Sequence, residues 1–187
     1  MIEKTIATIT TDIGEIRQLY ESAFPAEEQI PWADLMQLVV SMSLDFTAYY
    51  NEDGLLLGFT VVYPRKPFNW FWYFAVPGDL RGKGVGQEIL TRLIAKYENS
   101  TNILDMESPE QVCPNLSQRR RRHSFYLRNG FRDTGVGRSF EGIDYIIMMR
   151  GEGTFTLQDY DDVLNELRSF WSAMPNAENN SIEPKNN

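Results

Sequence analysis

The sequence predicts an α/β (α+β) fold in which a mixed, mostly antiparallel sheet is flanked by helices. Three observations carry that prediction. Apolar and aromatic runs of strand length, such as LLLGFTVVYP, alternate with segments whose apolar residues recur at helical spacing, such as VGQEILTRLIAKY. The stretch FAVPGDLRGKGVGQEIL, Phe74 to Leu90, puts four glycines and two cations between a strand-like run and a helix-like one. At 187 residues, 42% of them hydrophobic and 13% aromatic, the chain suits one domain that buries roughly two thirds of the surface its unfolded form exposes.

In chain order, EKTIATIT reads as a first strand, and Asp12 with Glu15 three residues later forms a capping box for a helix carrying Ile13, Ile16, Leu19 and Tyr20. That helix ends near AFPAEEQIP. Pro31 sits in the first turn of a second helix, where its missing donor would be unpaired anyway, and the apolar face there is Trp32, Leu35, Val39 and Met42. DFTAYY and LLLGFTVVYP pair as a hairpin around NEDG, with Asp53 and Gly54 taking the positive backbone angles of a tight turn. Trp70 to Val76 is too continuously apolar to have one face in water, so it is a central strand. Beyond the glycine turn, Val85, Ile89, Leu90, Leu93, Ile94 and Tyr97 line one helix face. NILDME then returns as a strand parallel to Trp70–Val76 through a right-handed crossover.

The second part of the chain begins with a proline-containing loop and a helix from about Ser117 to Asn129, stopped by Gly130. The runs FRDTGVG and YIIMMR follow as antiparallel strands. Thr156 with Asp159 opens a last amphipathic helix through Leu157, Tyr160, Leu164, Leu167 and Trp171. The segment PNAENNSIEPKNN is too polar to bury anything and is expected to be disordered.

A net charge of −8 argues against a protein built to wrap nucleic acid and fits cationic substrates better. No run approaches the ~20 apolar residues of a membrane span. The start, MIEKTIATITTDIGE, has no basic segment followed by an apolar one, and the single Cys113 cannot pair within the chain, so a reducing cytoplasm is the expected setting. His123, the only histidine, has no second ligand nearby, and no metal is expected.

The glycine turn carries the chemistry. Pro77-Gly78-Asp79-Leu80 leads into Arg81-Gly82-Lys83-Gly84-Val85-Gly86, where the first turn of a helix offers unpaired N–H groups and partial positive charge. Glycines let an oxyanion approach the backbone, and Arg81 and Lys83 add charge-assisted contacts, so a pyrophosphate is the ligand implied. A P-loop is excluded, because only three residues separate Gly78 from Gly82 and Lys83 is followed by Gly84 rather than a hydroxyl residue. A dinucleotide fingerprint is excluded too, since it would need glycine at Gln87 or Ile89.

R-x-x-G-x-G from Arg81 to Gly86, after an apolar strand and before an amphipathic helix, resembles the acetyl-CoA loop of the GNAT family of N-acetyltransferases. SFYLRNGF, Ser124 to Phe131, is similar to a second segment of that family, in which a helix presents a tyrosine and stops at an N-G-F or L-G-F turn. With the order of elements, the resemblance covers about residues 3 to 150. It divides the chain into a GNAT domain over 1–150, an amphipathic helix over 151–174 packed on the domain or on a partner, and a tail over 175–187.

The resemblance implies an acetyl-CoA-dependent N-acetyltransferase with coenzyme A as acyl carrier. The backbone of Ala75 and Val76 would bond the pantetheine arm where two central parallel strands splay, and a backbone N–H near Val76 would polarise the thioester carbonyl. The amides of Gly82, Lys83, Gly84, Val85, Gly86 and Gln87, with Arg81, would hold the pyrophosphate. Tyr126 matches the tyrosine that protonates the departing thiolate, which a phenol of ordinary pKa ~10 can do at neutral pH. Glu107, at the end of NILDME, is the candidate base for the acceptor amine. Glu27 and Glu28 lie where the family builds its acceptor site and could recognise a cationic amine. The implied partner is a small-molecule or peptide amine, with neither membrane nor nucleic acid expected; a homodimer through the aromatic last helix stays open. Where the family has an asparagine seven residues before the tyrosine and an alanine four before it, this chain has Arg119 and Arg122, within QRRRRH. Two other readings accompany this one: a non-enzymatic acyl-CoA-binding module, and an RNA- or ribosome-associated protein acting through the arginine run.

Overall fold

The computed structural model describes residues 1–6 and 13–173, the side chain of Glu27 excepted. Seven strands and five α-helices fall into two compact units that meet in sequence at Ser100/Thr101. Every strand pair within a unit is antiparallel. The fold is thus the α/β, mostly antiparallel arrangement expected from the sequence.

In the first unit β1 (Ile2–Thr5), β2 (Asp45–Tyr50), β3 (Leu56–Tyr63) and β4 (Phe68–Ala75) run in spatial order 1-2-3-4. Helices α1 (Gly14–Ala23), α2 (Trp32–Ser41) and α3 (Val85–Lys96) belong to the same unit. Tyr20 on α1 is buried and touches four rings, those of Phe24, Trp32, Phe59 and Tyr73, with centroids 5.2–6.4 Å apart. These rings bury one side of β3 and β4, against which α1 packs, while α3 also packs on β3. Pro31 caps α2 rather than entering it, its carbonyl accepting from Asp34 and Leu35 N–H. The β2–β3 connection is also looser than predicted. Only Gly54 has a positive φ, and the Asn51 side chain closes the loop by accepting from Leu55 N–H. The expected capping partner Asp12 and residues 7–10 of the predicted first strand lie outside the described residues, as does the tail over 175–187.

In the second unit β5 (Thr101–Glu107), β7 (Ile143–Arg150) and β6 (Arg132–Phe140) form the order 5-7-6, with α4 (Leu116–Arg128) on β5 and α5 (Leu157–Ser172) following. α4 ends as predicted. Gly130 has φ 81°, Gly130 N–H bonds Leu127 C=O and Phe131 N–H bonds Tyr126 C=O, the double closure that a left-handed C-terminal glycine permits. At α5 the Thr156–Asp159 box is present in both directions. Its buried stripe is Tyr160 and Val163, and Leu157 points to solvent, so the predicted face is rotated by part of a turn. Arg138 on β6 explains that rotation, since it pairs with Asp161 and lies over the Tyr160 ring, drawing this side of the helix inward. Among the described residues, no helix is long and apolar enough to cross a membrane.

Candidate functional site

The glycine turn leaves β4 at Ala75, passes one 3-10 turn over Gly78–Leu80, and enters α3 at Val85. Leu80, Arg81 and Lys83 spend their N–H groups inside this turn, on Pro77, Gly78 and Leu80 carbonyls. The next amides behave differently. Among the described residues, those of Gly82, Gly84, Val85 and Gly86 donate to no backbone carbonyl, and residues 81–84 are exposed. Gly82 and Gly84 have φ of 76° and 85°, the left-handed region that side chains disfavour, and Gly84 is the N-cap of α3. Amides without a backbone acceptor beside two left-handed glycines at a helix N-terminus are donors of the kind that bind anions. Lys83 is exposed, and the Arg81 Nε donates to Val76 C=O at 3.2 Å, bracing the guanidinium beside the end of β4. A diphosphate fits this set of donors in charge and in access.

Gly58 is a contributor that the sequence reading missed. A Cβ placed there would stand 2.4 Å from the Ala75 carbonyl oxygen and 2.9 Å from the Ile89 Cδ1. Its lack of a side chain therefore lets β3 and α3 close upon the last residue of β4. Only the register of β3 on β4, Phe59 opposite Ala75, reveals this, and the pattern LLLGFTVV does not.

Glu27 and Glu28 lie in the 3-10 turn Ala26–Glu28 between α1 and α2. Two buried tyrosines hold that loop in place. Tyr73 on β4 donates its hydroxyl to Glu28 C=O at 2.9 Å, while the Tyr20 hydroxyl accepts from Ile30 N–H at 2.7 Å. The Glu28 side chain is half-buried.

In the second unit, Tyr126 sits on α4 and is 9% exposed, between Phe125 and Phe131 with centroids at 5.4 and 5.6 Å. Burial pushes its phenol up to about 12, outweighing the opposing pull of the nearby Arg122 cation, with Asp105 adding to the rise. The group is therefore a neutral O–H at physiological pH, able to give a proton. Glu107 ends β5 and is 4% exposed. Its Oε1 accepts from Arg119 Nη2 at 2.7 Å and from Asn115 Nδ2 at 3.4 Å, and its Oε2 accepts from Arg122 Nη2 at 3.0 Å. The arginine run thus divides: Arg119 and Arg122 turn inward onto one carboxylate, whereas Arg120 and Arg121 face solvent, Arg120 donating to Pro109 C=O. Helical spacing alone places 119, 122 and 126 on one face, but no local pattern supplies the β5 carboxylate that the two arginines meet. His123 pairs with Asp133 at 2.8 Å.

The model for an acetyltransferase (GNAT) domain matches residues 44–133. A search of curated proteins returned no match. Among solved structures the chain is similar to a GNAT-family protein from Bacteroides thetaiotaomicron, with TM-score 0.69 and 20% identity over 90% of this chain and 97% of that one. It is also similar to the ribosomal-protein-S18-alanine N-acetyltransferase of Escherichia coli, at TM-score 0.60 and 16% identity over 83% and 100% of the two chains. A third likeness is to an acyl-CoA N-acyltransferase from Pseudomonas aeruginosa, at TM-score 0.59 and 18% identity over 80% and 97%. At such identities the structural likeness is one of fold.

Proposed function

Because this chain belongs to the GNAT family of acetyltransferases, we propose that it moves an acetyl group from acetyl-CoA to a primary amine by direct attack in a ternary complex. What supports the reading is that the amides of Gly82, Gly84, Val85 and Gly86 donate to no backbone carbonyl, with Arg81 and Lys83 among them. These residues, with Gln87, would hold the diphosphate of the acyl donor, and the backbone of Ala75 and Val76 its pantetheine arm. Acetyl-CoA supplies an activated thioester carbonyl. An N–H near Val76 would stabilise the negative charge that develops on that oxygen as the amine nitrogen bonds to the carbonyl carbon. As the carbon–sulfur bond breaks, Tyr126 gives its phenolic proton to the sulfur and recovers one from solvent.

The attacking amine must lose a proton. Glu107 is the carboxylate that the sequence offered for this, but three donors already occupy it. These donors leave one of its about four lone-pair positions, and the residue is 4% exposed, so we assign proton removal to a water chain instead. Holding donor and acceptor together supplies much of the acceleration, and no covalent enzyme intermediate is needed.

The acceptor is assigned only by class. Glu28, and Glu27 beside it, would favour a cationic amine over an anionic one. The structural neighbour that acetylates a ribosomal-protein alanine makes a peptide N-terminus one member of the test panel, with an amino sugar and a polyamine as the others. Thiol release from acetyl-CoA with each amine, and the heat of binding of coenzyme A, test the reading. Absence of any heat at millimolar coenzyme A would remove the acyl-CoA assignment. Binding without thiol release for every amine would instead favour the non-enzymatic module.

A further inference from the structure

Glu107, Arg119 and Arg122 form a cluster that the reaction as written does not use. Arg119 is 4% exposed, which an unpaired cation would not tolerate. It is held at two points. Nη2 meets Glu107 on β5 at 2.7 Å, and Nη1 donates to Gln111 Oε1 at 3.1 Å. Gln111 in turn is tied to the β6–β7 turn, donating to Gly142 C=O at 2.7 Å and accepting from Asp144 N–H at 3.1 Å. One guanidinium therefore links α4 to the end of β5 and to the hairpin beyond it. Arg122, one turn further along, reaches the other oxygen of the same carboxylate.

Position matters here because of helical phase. Seven residues separate Arg119 from Tyr126, which is within ~20° of two full turns, so the phenol projects from the face that the guanidinium pins. An atom ~6 Å from the helix axis moves about 1 Å when the helix turns by ~10°. A misplacement of about 1 Å can lower a rate by ~10²-fold.

We propose that Glu107 is a positioning residue rather than a base: clamped by Arg119 and Arg122, it sets the rotation of α4 and through it the place of the Tyr126 hydroxyl. The inference rests on Tyr126 being the proton donor. Arg119, standing where the family has an asparagine, acts here on the helix rather than on the acyl donor.

The test uses the full chain labelled with 3-fluorotyrosine, the Tyr126 signal being the one lost in Tyr126→Phe. The variants are Glu107→Gln, Arg119→Met and the apolar pair Glu107→Met with Arg119→Leu; the pair keeps the interior filled without a charge and guards against singles that fail to fold. Each folded variant is expected to shift the Tyr126 fluorine signal. With acetyl-CoA and the active amine of the panel, kcat should fall about 10- to 100-fold, while KM for acetyl-CoA stays within about twofold and the acidic limb of the pH profile persists. In a Tyr126→Phe background, Glu107→Gln should add no further loss, because both changes act through one hydroxyl. Loss of the acidic limb in Glu107→Gln, a loss that multiplies with that of Tyr126→Phe, or an unmoved fluorine signal would overturn the proposal. Undiminished turnover in Tyr126→Phe would instead overturn the acid assignment on which it rests. The fluorine signal reads the helix and turnover reads the acid, so the two failures are told apart.

Discussion

Tyr126 and Gly58 make opposite demands on their surroundings. For Tyr126 the demand is chemical. Burial holds its phenol near 12, so under the proposed mechanism a proton is present for the leaving thiolate. Tyr126→Phe keeps the ring packing against Phe125 and Phe131 and removes only the proton, so turnover should fall ~10²-fold or more while coenzyme A affinity by calorimetry stays within about twofold. For Gly58 the demand is steric. A methyl group 2.4 Å from the Ala75 carbonyl oxygen must displace the end of β4, where the pantetheine arm is proposed to bind. Gly58→Ala should therefore cost about 1–3 kcal/mol in denaturant unfolding and weaken coenzyme A binding as well. A stability loss with unchanged affinity would place the Ala75 backbone outside the binding site.

At the scale of elements, local rules predicted most helix ends. The Thr156–Asp159 box and the Gly130 terminus follow from residue type at fixed spacing, and both are present. Thr156→Ala removes a hydroxyl that accepts from Asp159 N–H, and should destabilise the second unit by about 1 kcal/mol on thermal unfolding. Which side of α5 goes inward was a different matter. Leu157 fits the helical period but is exposed, because the Arg138 pair with Asp161 and the Tyr160 ring orients the helix. The arginine run of α4 shows the same limit. Charge alone suggested an RNA or ribosome contact for the run, and two of its members meet a buried carboxylate supplied by β5. That leaves Arg120 and Arg121 as the members of the run that do not face this carboxylate, a small basic surface for the nucleic-acid reading.

For the molecule as a whole, ligand and pH should each move the folding equilibrium. Coenzyme A binds only the folded chain on this reading, so at 100 times its Kd it should add about 2.7 kcal/mol and raise the thermal midpoint. Within the first unit, Asp45 on β2 meets Lys96 and the Tyr97 hydroxyl at the end of α3. Burial alone would raise this carboxyl, but hydrogen bonds from Lys96, Tyr97 and Thr47 outweigh it and hold it below its ordinary value. A lowered folded value means that the contribution is complete above the unfolded pKa of ~3.9 and disappears as pH falls through the folded one. Asp45→Asn should accordingly be less stable than the parent at pH 7, and the gap should close as pH falls below about 4. A gap that is the same at pH 3 and pH 7 would show that the ionised form contributes nothing.

The sequence by itself determined the fold class, the order of its elements, the glycine turn and the tyrosine helix, because those depend on residues close together in the chain: apolar period, capping pairs, and glycines at positive φ. Glu107 was legible as a carboxylate at a strand end, but its neighbours were not, since Arg119 and Arg122 reach it from a different element. Tertiary structure alone decided that this carboxylate pairs with two arginines of α4, that Tyr20 and Tyr73 hold the turn at Ala26–Glu28, and that Gly58 makes room for the Ala75 carbonyl. Contacts of that kind join residues distant in sequence, and they are fixed by packing and by the need to pair buried charge, which no local pattern records.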